Sequence, residues 1–574
     1  MNEIITIRDV TYTYPNSLEP VLKNVSLAVR EGEFAVIMGR TGAGKTTLAM
    51  TLNGIIPQLM EGEMAGDITV AGMDLSKYQI QTITQEVGLV LQDPETQIVG
   101  RTVEEDVAFG PRNYLMERDE IYRCIDASLA RVRLAGYNKR ATSELSGGEK
   151  QRLSIAGVLA MNPSVLVLDE PTSELDPLGR EEIYTTIRDL KQEKGLPIVA
   201  VEHSSQEICE KADRLIILDE GEVVWSGIPR CFFTDLPLVH RCGIKPLPIS
   251  EIGWALEQKG FIAKEEIPIN IDEAYTLIRR LLDGRRLTTT PKEPAQVPGP
   301  SLIRVENLSF CYDSGKKALD QISLNIHEGD YIAIIGQNGS GKTTLAKHFN
   351  SLLKPTDGSV TVCGLDTANQ EPESLARYIG YVFQNPDHQI FCSTVYKELE
   401  FGLKNAGLSS SEIEQRIDEV AHLTGLEAVL QEHPYSLGKG ERQKIAVASI
   451  LAMHPKILVV DEPTTGQDWS GIQVMMELMD NLHRNGTTIV MITHDMDVVA
   501  HYAKRAVVMC HGNIVMDGPA DEVLNEKEIL ASAFVTPPQV VELSQLLVSE
   551  GLERSITSEE ELARILIESL EEAR

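Results

Sequence analysis

The sequence repeats itself once over most of its length, and this duplication restricts the fold more than any other feature. GRTGAGKTTLA at Gly39–Ala49 returns as GQNGSGKTTLA at Gly336–Ala346. An Asp-Glu-Pro-Thr stretch also occurs twice, with its aspartates, Asp169 and Asp461, 292 residues apart. A repeat of this length, with each set of motifs complete, indicates two copies of a whole domain rather than a solenoid of short units.

Each copy contains a glycine-rich loop of the form G-x-x-x-x-G-K-[ST] between an apolar strand and a helix-forming stretch. Glycines let the backbone N–H groups of such a loop point at phosphate oxygens, and the positive end of the following helix adds to the attraction. The lysine is expected to reach the β- and γ-phosphates, and the next threonine to bind Mg²⁺. The predicted ATP-binding residues of the two loops are Gly39, Thr41, Gly42, Gly44, Lys45, Thr46, Thr47, Gly336, Asn338, Gly339, Gly341, Lys342, Thr343 and Thr344.

A second apolar strand in each copy ends in Asp-Glu. We predict that Asp169 and Asp461 hold the Mg²⁺ ion, and that the adjacent Glu170 and Glu462 polarise the water that attacks the nucleotide. Short alternating strands, followed by a buried strand, a glycine loop and a helix, indicate an α/β fold with phosphates at the carboxyl ends of parallel strands. ATP and Mg²⁺ are therefore the expected cofactors.

Charge and composition exclude several other classes of protein. A formal net charge of −32 repels nucleic-acid backbones and anionic lipids, and Arg279, Arg280, Arg285 and Arg286 resemble the charged end of a helix rather than a basic patch. The eight cysteines form no C-x-x-C pair, which favours unpaired thiols in a reducing cytosol. No apolar run approaches the roughly 18–20 residues that cross a bilayer, so other chains are expected to supply any membrane-spanning part.

Further segments resemble the conserved motifs of ABC ATPases, and the resemblance covers nearly the whole chain. LSGGE at Leu145–Glu149 is similar to the signature motif that contacts ATP. The resemblance implies catalytic and metal-contacting glutamines, switch histidines, adenine-stacking tyrosines and D-loops. The glutamines are Gln92 and Gln384, and the histidines are His203 and His494. The tyrosines are Tyr14 and Tyr312, and the D-loops are Ser173–Asp176 and Thr465–Asp468.

A narrower resemblance is to the ATPases of energy-coupling factor (ECF) importers. Gln92–Pro111 and Gln384–Leu403 are similar to the segment that follows the glutamine in that family. The resemblance implies a protein peripheral to the cytoplasmic face of the cell membrane, with a scaffold membrane subunit and a substrate-binding membrane subunit as partners. It also implies import of a vitamin, a vitamin precursor or a transition-metal ion. We expect the membrane subunits to dock within Pro94–Pro111 and Pro386–Leu403.

The domain organisation follows from the repeat and from the segment between its copies. Each copy closes with a proline pair, apolar residues at three-to-four spacing, a glycine and a second amphipathic stretch, which predicts a helical hairpin. The Pro- and Thr-rich segment between the copies has no apolar periodicity and is expected to be an extended linker. We predict a first ABC ATPase domain at 1–230, its helical extension at 231–287, the linker at 288–300, a second ABC ATPase domain at 301–528 and a C-terminal helical extension at 529–574. Each ATPase domain is expected to contain a helical subdomain.

The second signature motif departs from the family pattern. Gly438, Lys439, Gly440 and Glu441 stand opposite Ser146, Gly147, Gly148 and Glu149, so the serine hydroxyl is absent and a lysine replaces the first glycine. In ABC ATPases each ATP lies between one glycine loop and the signature of the other cassette. Loss of one preorganised donor at such a site costs roughly 100- to 1000-fold in rate.

We therefore expect two unequal ATP sites. The standard site combines Lys342, Asp461, Glu462, Gln384 and His494 with Ser146–Glu149. The slower or differently regulated site combines Lys45, Asp169, Glu170, Gln92 and His203 with Gly438–Glu441. The alternative is a harmless variant of the signature with two equal sites.

Two other functions remain open from the sequence. A tandem sugar-importer ATPase is one, although the paired N/D-P-x-x-Q-I segments argue against it. A ribosome-associated tandem ABC translation factor is the other. Such factors resemble basic chains with a long charged helical insert, whereas this chain is acidic and has a Pro-rich linker.

Overall fold

The computed structural model describes residues 2–15, 17–173, 175–287, 299–313, 315, 317–465 and 467–572. The chain divides into two compact units, Met1–Leu247 and Pro248–Arg574. Most of the predicted linker falls on residues 288–298, which lie outside the described part of the chain. Each unit contains one α/β cassette, which confirms the predicted fold class.

The strands of the first unit form two sheets. A four-stranded antiparallel sheet has the order β2-β1-β4-β5, and a six-stranded sheet has the order β10-β9-β3-β8-β7-β6. The strands are β1 (Glu3–Thr13), β2 (Leu22–Arg30), β3 (Phe34–Met38), β4 (Glu63–Val70), β5 (Met73–Asp74), β6 (Val87–Val90), β7 (Val165–Asp169), β8 (Ile198–Val201), β9 (Arg214–Asp219) and β10 (Glu222–Gly227).

Helices cover the sheets of the first unit. They are α1 (Lys45–Leu52), α2 (Ile55–Gln58), α3 (Ile80–Glu86), α4 (Val103–Val107), α5 (Phe109–Asn113), α6 (Arg118–Arg131), α7 (Gly147–Leu159), α8 (Pro177–Lys194), α9 (Ser205–Lys211), α10 (Pro229–Phe233) and α11 (Leu236–Arg241). Short 3₁₀ turns occupy Leu75–Lys77, Pro94–Thr96 and Thr142–Glu144.

The centre of the large sheet explains where a site can form. Strands β3, β8, β7 and β6 are parallel neighbours, so their carboxyl ends meet at one edge. Every residue of these four strands is buried, which agrees with their nearly continuous apolar sequences and with a sheet covered on both faces. Asp169 is the last residue of β7, and the glycine loop, Gln92 and His203 follow the ends of β3, β6 and β8. These groups are therefore brought together at one edge of the sheet.

The second unit contains the same two sheets. Their strand orders are β12-β11-β14-β15 and β16-β17-β18-β13-β19-β20, which repeat the topology of the first unit. The strands are β11 (Ser301–Cys311), β12 (Lys317–His327), β13 (Tyr331–Ile335), β14 (Asp357–Val362), β15 (Leu365–Asp366), β16 (Ile379–Val382), β17 (Ile457–Asp461), β18 (Thr488–Ile492), β19 (Arg505–Cys510) and β20 (Asn513–Pro519).

The second unit has its own cassette helices and, in addition, helices from both predicted hairpins. They are α12 (Pro248–Gln258), α13 (Ile271–Leu282), α14 (Lys342–Phe349), α15 (Pro372–Leu375), α16 (Val395–Asn405), α17 (Ser410–Thr424), α18 (Lys439–Leu451), α19 (Trp469–Arg484), α20 (Met496–Tyr502), α21 (Ala520–Asn525), α22 (Lys527–Ser532), α23 (Gln539–Leu547) and α24 (Glu559–Glu571). The 3₁₀ turns of this unit are Lys264–Glu266, Thr367–Asn369, Pro386–His388, Glu427–Val429, Pro434–Ser436 and Val548–Glu550.

The two hairpins share one apolar core within the second unit. The buried faces of α12 and α13 join those of α23 and α24, with Ile252, Ile278 and Leu566 each at most 1% exposed. The Arg279 guanidinium lies 3.1 Å from the Glu550 carboxylate, and the Leu287 N–H donates to the Glu550 carbonyl oxygen at 3.0 Å. The sequence assigned 231–287 to the first cassette, whereas 248–287 pack in the second unit; the five-part division otherwise stays a prediction.

A group of ionisable side chains lies where the hairpins meet α20. The His501 Nε2 atom is 3.0 Å from Glu559 Oε1. Burial, and then the neighbouring Glu559 carboxylate, raise the pKa of Glu251 to about 8. Burial alone would lower the pKa of His501, but its hydrogen bond with Glu559 outweighs burial and raises that pKa to about 9. The raised pKa of Glu251 favours its neutral form near pH 7, and the raised pKa of His501 favours its charged form.

Candidate active sites

The glycine loops leave no room for side chains at their first positions. A Cβ atom on Gly39 would lie 1.9 Å from the Leu218 carbonyl oxygen, and one on Gly336 would lie 2.1 Å from that of Met509. Gly44, at the start of α1, has a φ of 95°, a left-handed conformation that favours glycine. The loop sequence is therefore required by backbone geometry as well as by phosphate binding.

The loop lysines extend back across their own loops. The Lys45 ammonium donates to the Gly39 and Arg40 carbonyl oxygens, both at 2.9 Å. The Lys342 ammonium makes the corresponding bonds to the Gly336 and Gln337 carbonyls, at 2.7 and 2.9 Å. Both lysines are only 6% exposed, so each ammonium group is buried against the carbonyl oxygens of its own loop.

A threonine and an aspartate meet beside each loop. Thr46 Oγ1 lies 3.2 Å from Asp169 Oδ1, and Thr343 Oγ1 lies 3.3 Å from Asp461 Oδ1. Hydroxyl and carboxylate oxygens are the ligands that Mg²⁺ prefers, so these residues fit the ion. Burial, and then the adjacent Glu170, raise the pKa of Asp169 to about 6. A cation at this point would favour the ionised aspartate.

The strand-ending glutamates are held in a strained backbone. Glu170 and Glu462 have φ angles of 46° and 52°, in the left-handed region that non-glycine residues rarely adopt. The Gln92 Nε2 donates to Glu170 Oε2 at 2.7 Å, and His203 Nε2 lies 3.0 Å from Glu170 Oε1. The structure thus brings together the predicted glutamate, glutamine and histidine of the first cassette.

The second cassette orients its glutamate somewhat differently. His494 contacts Glu462 through Nδ1, at 2.8 Å from Oε2, whereas His203 uses Nε2 in the first cassette. Gln384 follows β16 as Gln92 follows β6. His203 is within hydrogen-bond geometry of its glutamate, whereas His494 is close to Glu462 Oε2 but leaves that oxygen without a hydrogen bond in the described residues.

The predicted adenine-stacking tyrosines are anchored to the loop helices. The Tyr14 hydroxyl lies 3.0 Å from Thr47 Oγ1, and the Tyr312 hydroxyl lies 2.9 Å from Thr344 Oγ1. Each ring makes an edge contact with a second aromatic side chain, at a centroid distance of 4.9 Å in both cassettes. The rings are therefore fixed beside the glycine loops, and stacking on adenine stays a prediction.

The two signatures begin their helices with the same backbone and different side chains. Ser146 caps α7 with its hydroxyl, which accepts from the Glu149 N–H at 3.3 Å. Gly438 begins α18 with φ −65° and ψ 161°, close to the −67° and 163° of Ser146. A Cβ atom on Gly147 would meet no atom within 4 Å, so the first cassette has room at the position that Lys439 occupies in the second. The altered motif removes a hydroxyl and adds an ammonium without changing the fold.

Tyr381 and Glu202 also lie at the sites, although the sequence analysis did not identify them. The Tyr381 hydroxyl donates to Asp461 Oδ2 at 3.0 Å, where the first cassette has Leu89. The Thr172 hydroxyl lies 2.9 and 3.0 Å from the two carboxylate oxygens of the buried Glu202, just before His203. Burial raises the pKa of Glu202 to about 8, so this carboxyl is largely neutral at pH 7. A position-by-position comparison of the two copies would have revealed both residues.

Comparison with known proteins identifies the family. A family model described as ABC transporter matches residues 22–173 and 319–465. An ABC transporter ATP-binding protein of Caldanaerobacter subterraneus subsp. tengcongensis is 41% identical over 95% of this chain and 96% of its own length. One of Methanosarcina mazei is 38% identical over 96% of this chain and 95% of its own. A solved structure described as cbiO1 from Clostridium perfringens, part of the ABC transporter complex cbiONQ, is 36% identical and covers 40% of this chain and 93% of that chain, with a TM-score of 0.37.

The chain belongs to the ABC transporter ATP-binding proteins. It is a tandem ATPase of that family, with two ATP-binding cassettes in one polypeptide. Across the described residues, no helix is both long enough and apolar enough to cross a membrane.

Proposed function

We propose that this chain is the ATPase of an ECF-type importer and works at the cytoplasmic face of the cell membrane. It couples ATP hydrolysis to the uptake of a vitamin, a vitamin precursor or a transition-metal ion through a scaffold subunit and a substrate-binding subunit. The observation that carries this proposal is a pair of apolar side chains exposed at matching positions of both cassettes, in the segments that resemble the ECF family.

These side chains lie just after the glutamines Gln92 and Gln384. Val99 and Phe109 are 60% and 53% exposed, and their counterparts Phe391 and Phe401 are 63% and 47% exposed. The two phenylalanine rings meet edge to face at 4.8 Å, so they form one apolar surface. Exposed apolar patches of this kind mark surfaces that bind other proteins. Their presence in both cassettes supports docking of a membrane subunit to each.

The cassettes' own residues account for ATP hydrolysis. The loop N–H groups and Lys45 or Lys342 bind the phosphates, while Glu170 or Glu462 orients and polarises the attacking water. His203 and His494 lie beside these glutamates. Mg²⁺, when bound by the threonine–aspartate pairs, neutralises developing phosphate charge. The signature of the other cassette supplies N–H groups to the γ-phosphate and closes the site.

ATP drives the transport cycle because it binds the closed pair of cassettes better than the open pair. Closing and opening then move the membrane subunits through the segments after Gln92 and Gln384. The two sites are unequal in this proposal. The site of Lys45 faces the altered signature at Gly438–Glu441 and turns over more slowly, whereas the site of Lys342 faces Ser146–Glu149.

Affinity purification from the native host in mild detergent, followed by mass spectrometry, tests this function. We expect two multi-spanning membrane proteins to be recovered with the chain. A Phe391→Ser/Phe401→Ser variant should lose most of them, while Val515→Ser, which changes an exposed apolar residue on β20, should not. Recovery of ribosomal proteins without membrane proteins would overturn the transport function and leave the ATPase activity in place.

A further inference from the structure

Each signature helix is tied by an ion pair to the 3₁₀ turn that follows the glutamine of the same cassette. In the first cassette Lys150 on α7 pairs with Glu95. In the second, Arg442 on α18 pairs with Asp387, which occupies the corresponding position. The predicted docking segment and the signature of one cassette are thus joined by side chains, and the two cassettes use different residues to join them.

The link in the second cassette makes more bonds. Arg442 Nε donates to Asp387 Oδ1 at 2.7 Å, and Arg442 Nη2 donates to Oδ2 at 3.3 Å. A planar guanidinium that meets both oxygens of a carboxylate fixes direction as well as distance. Arg442 Nη1 also donates to the Leu437 carbonyl oxygen at 2.6 Å, immediately before Gly438. One side chain therefore holds both the docking segment and the start of the altered signature.

A glutamine strengthens the same connection in the second cassette alone. The Gln389 Nε2 donates to the Ala446 carbonyl oxygen at 2.8 Å and lies 3.2 Å from Ser449 Oγ, both on α18. Its counterpart Gln97 bonds instead to the Leu89 carbonyl oxygen, within its own sheet region. The docking segment of the second cassette is therefore joined to its signature helix at two points.

The first signature is held by other means. Ser146 caps α7, and Arg140 donates to Glu149 Oε1 at 3.0 Å and to the Glu144 carbonyl oxygen at 3.1 Å. The second cassette has Glu432 at the position of Arg140, so this support is replaced there. Two glycines without a serine cap would also leave the start of α18 freer to move. An arginine bonded to the Leu437 carbonyl opposes that freedom.

We propose that Asp387 is a positioning residue for ATP hydrolysis: through Arg442 it sets the Leu437–Gly440 backbone and couples it to the segment after Gln384. This inference rests on the proposed function, in which the altered signature acts on ATP held by Lys45. The link takes over the positioning that the serine hydroxyl and Arg140 provide in the first cassette. Movement of the docking segment thereby reaches the slower ATP site directly.

Steady-state ATP hydrolysis by the full chain tests the link in two backgrounds. Glu462→Gln leaves turnover at the Lys45 site, and Glu170→Gln leaves turnover at the Lys342 site. In the Glu462→Gln background, Asp387→Asn should lower kcat about tenfold and change the KM for ATP less than about twofold, because a small displacement of a positioned group chiefly affects the transition state. Asp387→Glu should recover most of the rate. Asp480→Asn, which breaks the Asp480–Arg484 pair on α19, is the matched control.

A second measurement covers the case of very slow turnover. The Glu170→Gln/Glu462→Gln double variant should retain about two ATP per chain after rapid gel filtration, because closed sites release ATP slowly. Adding Asp387→Asn should reduce this toward about one.

The outcomes separate the link from the function on which it rests. A loss of kcat confined to the Glu170→Gln background would support the link but overturn the assignment of the altered signature to Lys45. An equal loss in both backgrounds with a lowered Tm would show a general structural role and overturn the proposal. So would unchanged kcat and unchanged ATP retention.

Discussion

The two cassettes have the same sheets, loops and helix starts, and they differ in the side chains that surround those features. The signature has Ser146 in one and Gly438 in the other at nearly equal backbone angles. The predicted Mg²⁺ ligand Asp461 accepts from a tyrosine that the first cassette lacks, and a buried glutamate precedes the predicted switch histidine only in the first cassette. The two copies thus share the backbone of the site and differ in the side chains that contact the site residues. A difference in activity between the sites should therefore follow individual side chains.

The largest expected difference concerns the two general-base candidates. If the sites are unequal as proposed, Glu462→Gln should lower ATP turnover of the chain about 100-fold, because it removes the base of the proposed faster site. Glu170→Gln should then lower turnover less than about twofold, because the proposed slower site, at Lys45, would contribute little. Steady-state phosphate release at saturating ATP measures both. Intact turnover in Glu462→Gln with lost turnover in Glu170→Gln would reverse the assignment, and equal losses would indicate equal sites.

Restoring the usual signature should raise the activity of the slower site. Gly438→Ser/Lys439→Gly returns the missing hydroxyl and removes the added ammonium. In the Glu462→Gln background we expect kcat to rise at least about tenfold, since one preorganised donor is worth that much or more. The converse change, Ser146→Gly/Gly147→Lys in the Glu170→Gln background, should lower kcat similarly. No response to either pair would mean that the signature difference is a neutral variant.

Tyr381→Phe should weaken Mg²⁺ binding in the second cassette alone. The Tyr381 hydroxyl stabilises the ionised Asp461, and a hydrogen bond to a charged group contributes about 1.5–3 kcal/mol. Its removal should increase the Mg²⁺ concentration for half-maximal hydrolysis about tenfold in the Glu170→Gln background, the lower end of that range. The same variant in the Glu462→Gln background is the control and should behave as its parent. An equal shift in both backgrounds would show that Tyr381 acts through overall folding.

The smallest effect is on stability and concerns Glu202. In the folded chain burial raises its pKa from 4.5 to about 8, so the unfolded chain releases this proton at lower pH than the folded chain. The contribution of Glu202 to the free energy of unfolding therefore falls as pH rises from about 4.5 to about 8 and levels off above that. Glu202→Gln keeps the oxygen that accepts from Thr172 and removes the titration.

Urea unfolding over this pH range measures the effect. We expect Glu202→Gln to match the parent near pH 4.5 and to be more stable by about 1–3 kcal/mol at pH 8. Glu222→Gln, at an exposed position of β10, is the control. A parent and Glu202→Gln variant with parallel pH profiles would show that Glu202 is ionised in the folded state.

The sequence predicted the parts of the sites that depend on local order along the chain. A glycine loop after a buried strand, or a histidine at the end of one, lies at a known edge of a parallel sheet. Tyr381, Glu202 and Arg442 could not be found in this way. Their partners are remote in sequence, and the same residue types on a strand or helix are usually part of the core or the solvated surface.

The hairpins show the same limit at a larger scale. Their amphipathic pattern predicted helices with one buried face, and α12, α13, α23 and α24 form as expected. The pattern does not specify what covers that face. Position in the repeat suggested that the first hairpin belongs with the first cassette, whereas its apolar side chains complete the core of the second unit.

This arrangement determines where the polypeptide could be divided. A protease or a gene split acting at 288–298 would respect the repeat, but it would remove α12 and α13 from the core they complete. The C-terminal fragment would then expose apolar residues such as Ile565 and Leu566, and the N-terminal fragment would end in an uncovered hairpin. The boundary between the two compact units instead lies after Leu247. The sequence repeat and the compact structural units thus have different boundaries in this chain.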